Sequence, residues 1–117
     1  MKELLSLLGK KVSGVIDRPL GSVHPHHSNI VYEVNYGYIT DIVAEDGEYQ
    51  DVYFLGATEP LKTFEGVVIA IIHRLDDIED KLVVAPVGLN FSNEEIEEQV
   101  AFQEQYFKHE LIRKKTS

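Results

Sequence analysis

Short runs of apolar residues, separated by glycine, proline and asparagine, divide this chain into strand-length segments. The runs fall at 12–16, 30–34, 36–39, 52–55, 67–72 and 81–86. The run at 67–72 is apolar on both faces, which predicts a strand in the middle of a sheet. Four leucines among the first eight residues predict a short helical turn within an N-terminal segment, residues 1–11.

The pattern changes near the end of the chain, where we predict a C-terminal helix over residues 92–113. Ser92 and Glu95 have the spacing of a capping box, in which each side chain accepts a hydrogen bond from the other residue's backbone N–H. The apolar stripe at helical spacing consists of Ile96, Val100, Phe107 and Leu111. Several short strands and one helix predict a mainly β (α+β) fold, a small closed or partly closed barrel with the helix packed on it.

Length and composition indicate one soluble domain that spans residues 1–117. No apolar run approaches the ~20 residues that cross a bilayer, and the first residues are too acidic for a signal peptide. The chain has no cysteine, which excludes disulfides and thiolate metal sites. We therefore expect a cytoplasmic protein with no membrane partner, and the oligomeric state stays open, a homo-oligomer included.

The formal net charge is −9, and the negative charge is concentrated in one part of the chain. Residues 45–98 hold fourteen of the twenty acidic side chains but only three basic ones. A field of this sign opposes binding to a nucleic-acid backbone, so we expect no nucleic-acid partner. It suits a site that collects divalent cations and meets an anionic substrate through them.

The densest group of carboxylates is an acidic turn at residues 45–51, directly before a strand-like run. Gly47 allows a tight turn, and oxygen ligands on such a turn are what Mg²⁺ requires. A solvated acidic loop is the alternative interpretation. A calcium EF-hand fits poorly, because the glutamate at the twelfth loop position and the flanking helices are missing. The carboxylates of the turn belong to Glu45, Asp46, Glu48 and Asp51.

Three further features accompany the acidic turn. Asp17-Arg18 offers a guanidinium at the end of a strand, and two tyrosines flank Gly37. Residues 76–81 hold four carboxylates and a lysine just before another strand. Carboxylates hold metal ions, whereas lysine, arginine and tyrosine donate hydrogen bonds to phosphate oxygens. Together these features favour a metal platform for phosphate chemistry over a solvated loop.

The order of these motifs resembles that of the family I soluble inorganic pyrophosphatases. The resemblance covers roughly residues 15–110. Its strongest part is the acidic signature, Asp-Gly-Asp-Pro-x-Asp in that family, which reads Asp46-Gly47-Glu48-Tyr49-Gln50-Asp51 here. The other matching segments are 17–18, 36–39, 81–86 and 102–108.

The resemblance implies a five-stranded OB-like barrel with the C-terminal helix packed across it. It also implies Mg²⁺-dependent hydrolysis of pyrophosphate or a related phosphoanhydride by a metal-activated water, with Mn²⁺ or Zn²⁺ as alternative cofactors. By position, the implied metal ligands are Asp46, Asp51, Asp76 and Glu79, with Asp80 as the alternative to Glu79. The implied catalytic residues are Glu48, Lys81, Arg18 and Tyr36, with Glu48 in the place of the family's carboxylate that accepts the proton of the attacking water. The implied substrate-binding residues are Tyr106 and Lys108.

Several positions depart from the family pattern. Glu48 is one methylene longer than the family's aspartate, Tyr49 replaces a proline, and Phe107 stands where a lysine follows the helical tyrosine. We also expect a short, divergent member without the family's N-terminal hairpin. These departures keep a second hypothesis open, a non-catalytic binding or regulatory module for a phosphorylated ligand or a protein partner.

An insertion at residues 25–29 enlarges the loop between Arg18 and Tyr36. The loop contains three histidines, which could bind zinc or nickel. A proline between the first two histidines and the lack of a fourth ligand nearby favour a surface loop instead. The histidines are His24, His26 and His27.

Overall fold

The structure is a computed structural model that describes residues 2–44 and 47–114, and this part of the chain folds into six strands and two helices. The strands are β1 (Lys11–Arg18), β2 (Asn35–Val43), β3 (Tyr49–Phe54), β4 (Thr63–Arg74), β5 (Asp80–Ala85) and β6 (His109–Ile112). The helices are α1 (Lys2–Leu5) and α2 (Asn93–Glu104). Neither helix is both long and apolar enough to cross a membrane.

Five of the strands close into a barrel. Their order around the barrel is β1, β2, β3, β5 and β4, and β4 pairs back with β1. All of these pairings are antiparallel except that of β3 with β5, which is parallel. β6 lies outside the ring and extends the sheet from β4. The predicted five-stranded OB-like barrel is therefore confirmed.

Side chains alternate along the barrel strands between two apolar clusters. In β3, Val52 and Phe54 belong to an inner cluster to which all five barrel strands contribute. Tyr53, between them, belongs to an outer cluster on the opposite face of the sheet. Leu4 and Leu8 from the N-terminal segment pack with the inner cluster. Because the barrel interior is filled with apolar side chains, any polar site must lie on its outer face or at its ends.

The outer cluster is covered by α2, which contributes Ile96 and Val100. The capping box at the start of this helix is confirmed: the Ser92 hydroxyl accepts from the Glu95 N–H, and the Glu95 carboxylate accepts from the Ser92 N–H. The helix thus begins where the sequence predicts and packs across the barrel as expected.

The predicted extension of the helix to residue 113 was wrong. The helix ends at Glu104, and the chain then pairs with β4 as β6. The cause is an open strand edge: β1 covers only residues 63–67 of β4, which leaves residues 71–74 available on that side. Pairing there satisfies backbone groups that a longer helix would have left exposed. The apolar pattern of the tail fits a helix and a strand equally well.

The apolar run at 30–34 forms no regular strand in the described part of the chain. It contributes an isolated β-bridge at Val31, and β2 begins at Asn35, which the sequence marked as a break. Asn35 is fully buried, and its amide oxygen accepts from the backbone N–H groups of Leu20 and Leu61. A single polar side chain therefore joins two loops to β2, a long-range role that the local pattern does not reveal.

We predict that the attachment of β6 to α2 weakens as the pH rises. His109 Nε2 lies 2.6 Å from the carboxylate of Glu97. Burial lowers the pKa of His109, but the hydrogen bonds to the Glu97 carboxylate and to the backbone carbonyl of Phe107, together with the charge of Glu97, outweigh burial, so the net pKa is raised. A raised pKa means that the protonated pair stabilises the fold below about pH 6.5 and that this contribution is lost as the pH rises through the folded-state pKa.

Urea unfolding of wild type and of His109→Gln at several pH values measures this contribution. The stability advantage of the wild type should be largest near pH 6 and should shrink toward pH 8, because the imidazolium loses its proton in that range. Glu97→Gln should remove the same pH dependence. A stability difference between wild type and His109→Gln that stays constant from pH 6 to pH 8 would contradict a stabilising role of protonated His109.

Candidate functional site

A cavity of about 530 Å³ lies on the outer face of the barrel, next to the end of α2. Strand alternation explains its polar lining. Asp51 lies two residues before Tyr53 of the outer cluster, and Lys81 lies two residues before Val83 of the same cluster. Both side chains therefore project outward, where five strands and the helix contribute residues to the cavity. The volume is typical of small-molecule sites.

Lys81 is at the centre of this site, although its side chain is only 3% exposed. Its ammonium donates to Asp51 Oδ2 at 2.6 Å, Tyr36 Oη at 2.9 Å and Glu79 Oε2 at 3.0 Å. The parallel register of β3 with β5 places Asp51 beside Lys81. Three acceptors match the three N–H groups of an ammonium, and two carboxylates neutralise one buried cation.

Arg74 is a second buried cation at the same cavity. Its guanidinium forms two hydrogen bonds with Glu104, of 3.2 and 2.6 Å, and donates to Glu79 at 3.2 Å. The guanidinium carbon lies 3.6 Å from the centre of the Phe107 ring. Burial lowers the pKa of Arg74, but the hydrogen bonds and charge of Glu104 outweigh it, so the net pKa is raised. Glu79 accepts from both buried cations and thereby couples them.

Buried hydrogen bonds connect Glu104 to a third cation of the cavity, Arg18. Tyr53 Oη donates to Glu104 at 2.6 Å, and Gln103 Nε2 donates to Tyr53 at 2.7 Å. Tyr32 Oη donates to Gln103 Oε1 at 3.1 Å, and Arg18 Nη1 donates to Tyr32 at 2.7 Å. The polar groups at the cavity therefore form one connected set rather than independent pairs.

The buried tyrosines of the site are neutral. Burial, followed by the charge of Asp51, raises the pKa of Tyr36 well above its usual value. Burial and the charge of Glu104 do the same to the pKa of Tyr53. A neutral phenol keeps its O–H donor, which here forms a hydrogen bond with the carboxylate of Asp51, and Tyr36 could donate it to a ligand in the cavity without adding charge.

The structure brings six of the sequence-predicted residues to this cavity: Arg18, Tyr36, Asp51, Glu79, Lys81 and Tyr106. Asp80, the alternative to Glu79, binds His73 at 2.8 Å instead, and Glu79 is the one that lines the cavity. Two other predicted residues contact each other elsewhere, since the carboxylate of Asp76 accepts from the backbone N–H of Lys108 at 3.2 Å.

Two further residues of the acidic turn were predicted as functional. Asp46 lies outside the described residues. Glu48 is exposed, and it is not among the side chains that line the cavity. Of the turn's predicted site residues, Asp51 is thus the one that the structure places at the cavity.

Sequence reasoning missed Arg74, Gln103 and Glu104. One signal for the last two was available: they lie three and four residues after Val100, on the buried face of α2. Polar residues at core positions of an amphipathic helix need buried partners, which indicates a hydrogen-bonded network. Arg74 gave a weaker signal, as an arginine at the end of an otherwise apolar strand.

The carboxylates at the cavity supply oxygen atoms that suit a hard divalent cation. They belong to Asp17, Asp51 and Glu79. Burial raises the pKa of Asp17, opposed by Arg18 and reinforced by the charge of Asp51. Over residues 2–44 and 47–114, however, no three histidine, aspartate or glutamate side chains are grouped so that they could hold a metal ion. Asp51 and Glu79 bind Lys81 instead, so a divalent cation fits this donor set only if it replaces the ammonium as their partner.

Comparison with known proteins gives a clear structural match. No protein-family model matches the sequence, and no curated protein is significantly similar to it. An inorganic pyrophosphatase from Ehrlichia chaffeensis aligns with 92% of this chain and over 88% of its own length, with a TM-score of 0.70 and 16% identity. This chain has the pyrophosphatase fold.

Two further pyrophosphatase structures support this assignment. The inorganic pyrophosphatase from Neisseria gonorrhoeae covers 84% of this chain and aligns over 74% of its own, with a TM-score of 0.65 and 20% identity. The enzyme from Thermus thermophilus covers 90% and aligns over 83%, with a TM-score of 0.65 and 19% identity. At these identities the likeness concerns the fold, and the chemistry of the cavity must be argued from its own residues.

Replacing Glu104 with glutamine should strongly destabilise this pyrophosphatase fold. Glu104 is 1% exposed and is the bidentate partner of Arg74, so the substitution leaves a buried guanidinium without its main counter-charge. We expect the free energy of unfolding to fall by about 3 kcal/mol or more. Glu98→Gln, the same substitution on the exposed face of the same helix, should change it by less than about 0.5 kcal/mol. Equal midpoints of denaturant unfolding for the two variants would contradict this role of Glu104.

Proposed function

We propose that the cavity binds pyrophosphate or a related phosphoanhydride together with a divalent cation and hydrolyses it. The main support is the convergence of Arg18, Tyr36, Asp51, Glu79 and Lys81 on one cavity of a pyrophosphatase fold. These residues come from distant parts of the sequence, and their side chains are of the types that bind phosphate or metal ions.

The charges of the lining suit a metal–phosphate pair better than either ion alone. Three cations face the cavity, Arg18, Arg74 and Lys81, and three carboxylates face it as well. A bare phosphate anion gains little from such a balanced set. A divalent cation can take the carboxylates as ligands, and the released ammonium and guanidinium groups can then donate to phosphate oxygens.

Each residue has a definite task in this proposal. Asp51 and Glu79 would hold the cation, which when bound would lower the pKa of a coordinated water and neutralise negative charge on the substrate. Lys81 and Arg18 would orient the phosphate groups, and Tyr36 would donate a hydrogen bond without adding charge. Phosphoryl transfer depends mainly on this kind of positioning and neutralisation. Mg²⁺ is the proposed cation, and Mn²⁺ and Zn²⁺ are the alternatives to test.

One observation favours the second hypothesis, a non-catalytic module that binds a phosphorylated ligand. Glu48, the residue predicted to accept the proton of the attacking water, is exposed and does not line the cavity. A general base must lie within hydrogen-bond reach of the proton that it removes. This alternative predicts binding of pyrophosphate without turnover.

Phosphate release from pyrophosphate, measured with and without Mg²⁺, Mn²⁺ or Zn²⁺, tests the proposal. Asp51→Asn should lower kcat/KM by about a hundredfold or more, because it removes a charge that neutralises Lys81 and would bind the cation. Asp41→Asn, the same substitution at an exposed position of β2, should leave kcat/KM within about twofold of wild type.

Well-folded wild type that releases no phosphate from pyrophosphate or nucleotides with any of these metals would exclude the hydrolase. Calorimetric binding of pyrophosphate under those conditions would then establish the non-catalytic alternative. Equal activity of the two aspartate variants would show that hydrolysis takes place somewhere other than this cavity.

A further inference from the structure

One wall of the cavity is formed by the segment of chain at the end of β1 and beyond it, residues 18–32. This segment differs in charge from the rest of the protein. Residues 18–32 contain one arginine and three histidines but no acidic residue, in a chain with twenty acidic side chains. Within this stretch we call residues 22–30 the histidine loop. The residues of the stretch that line the cavity are Arg18, His24, His27, Asn29 and Ile30. This wall therefore presents mainly hydrogen-bond donors and positive charge.

The histidine loop is held in place by backbone hydrogen bonds. At its base, Tyr32 accepts from the N–H of Gly21 at 2.7 Å and donates its own N–H to Ser22 at 2.8 Å. Farther along, the N–H of His24 donates to Ile30 at 2.9 Å. A loop tied across its two arms in this way offers a preorganised surface, so a ligand would lose little binding energy in ordering it.

His24 presents a donor even when its ring is neutral. Its Nδ1 accepts a hydrogen bond from the backbone N–H of His26 at 3.1 Å, so the proton of the neutral ring is on Nε2. The ring lies nearly parallel to that of Tyr32, at an interplanar angle of 6°, and the ring of His27 is 5.0 Å away. Burial, and then the positive charge of Arg18, lower the pKa of His24. The same positive charge attracts an anion.

Lys81 and its three hydrogen-bond partners, Tyr36, Asp51 and Glu79, form what we call the Lys81 cluster. Arg18 connects the histidine loop with this cluster. Its guanidinium carbon lies 5.8 Å from the ring centres of both Tyr32 and Tyr36. Tyr32 is the residue against which His24 stacks, and Tyr36 is the residue to which Lys81 donates. An anion bound at the Lys81 cluster and an anion bound at the histidine loop would thus share Arg18.

We propose that Arg18, His24 and His27 form a second phosphate subsite, so that the cavity takes a linear triphosphate chain, free or attached to a nucleoside, in preference to pyrophosphate. The inference rests on the proposed binding of phosphate at the Lys81 cluster and names the substrate class of that site. Hydrolysis of such a chain breaks one P–O–P bond. Water supplies a hydroxyl to one phosphorus and its proton to the other product, which gives phosphate with pyrophosphate or with a nucleoside diphosphate.

The test compares pyrophosphate, tripolyphosphate and ATP on the full chain in the presence of Mg²⁺. The readout is the preference for the triphosphate chain, taken from kcat/KM where the ligand is turned over and from calorimetric affinity where it is not. Loss of a hydrogen bond to a charged group corresponds to about tenfold. We therefore expect wild type to prefer a triphosphate chain by about tenfold or more. Comparison of tripolyphosphate with ATP shows whether the chain is free or carried by a nucleoside.

Variants of the histidine loop locate the subsite. The double variant His24→Ala/His27→Ala should lose the preference for the triphosphate chain. Its kcat/KM or affinity for pyrophosphate should change by less than about twofold. His26→Ala is the matched control, because this histidine is in the same loop but does not line the cavity, and it should keep the preference. His27→Ala alone, at an exposed position, should lose part of the preference and decides the question if the double variant does not fold.

Three results would overturn the inference: a wild-type protein that prefers pyrophosphate, a double variant that keeps the triphosphate preference, or a double variant whose kcat/KM or affinity falls equally for pyrophosphate and for the triphosphate chain. A wild-type preference for pyrophosphate, observed with turnover, would exclude the subsite but would still agree with the proposed hydrolase. Conversely, a triphosphate preference in binding without any turnover would support the subsite and exclude the hydrolase. The two proposals can therefore fail separately.

Discussion

A buried lysine cannot remain charged without anionic partners, and this constraint organises the cavity. The strands around Lys81 remove its ammonium almost completely from water, and burial of an unpaired charge costs several kcal/mol, a large part of a typical fold's total stability. Asp51 and Glu79 supply the compensation on two sides, and Tyr36 supplies a third acceptor. The parallel register of β3 with β5 makes this arrangement possible.

The same constraint extends to the rest of the polar network. Glu79 accepts from Arg74 as well as Lys81, Arg74 is fixed by Glu104, and Glu104 is linked through two tyrosines and Gln103 to Arg18. Ion pairs among these residues keep their charges in place at a concave surface. A ligand that brings both a cation and an anion can exchange with these pairs without leaving any charge unpaired.

The sequence predicts the parts of this structure that depend on local patterns. The capping box at Ser92, the barrel with its helix and the predicted strands other than the run at 30–34 follow from apolar spacing and from the family resemblance, and the structure confirms them. The helix end and β6 could not be predicted, because they depend on the unpaired edge of β4, which exists only in the folded barrel. The role of Asn35 is hidden from the local pattern for a similar reason, since its partners lie in distant loops.

The candidate site shows the same division. Asp51, Glu79 and Lys81 belong to charged motifs that are visible in the sequence, whereas Arg74 and Glu104 act through a buried pair between distant elements. The motif at residues 45–51 suggested that Glu48 and Asp51 serve one site, but Asp51 lies in β3 and lines the cavity, whereas Glu48 precedes that strand and does not line it. Spacing in a motif therefore identifies candidate residues. Which of them reach the site depends on where the folded chain places each side chain.

The most direct test of whether a metal–phosphate ligand replaces the ion pairs of the cavity is a crystal structure of the protein with Mg²⁺ and imidodiphosphate, a pyrophosphate analogue with a P–N–P bridge. If the ligand exchanges with the ion pairs, the metal binds Asp51 and Glu79, and Lys81 and Arg18 donate to the analogue's oxygens. Lys81 still bound to both carboxylates, with metal and analogue bound elsewhere or not at all, would contradict this exchange.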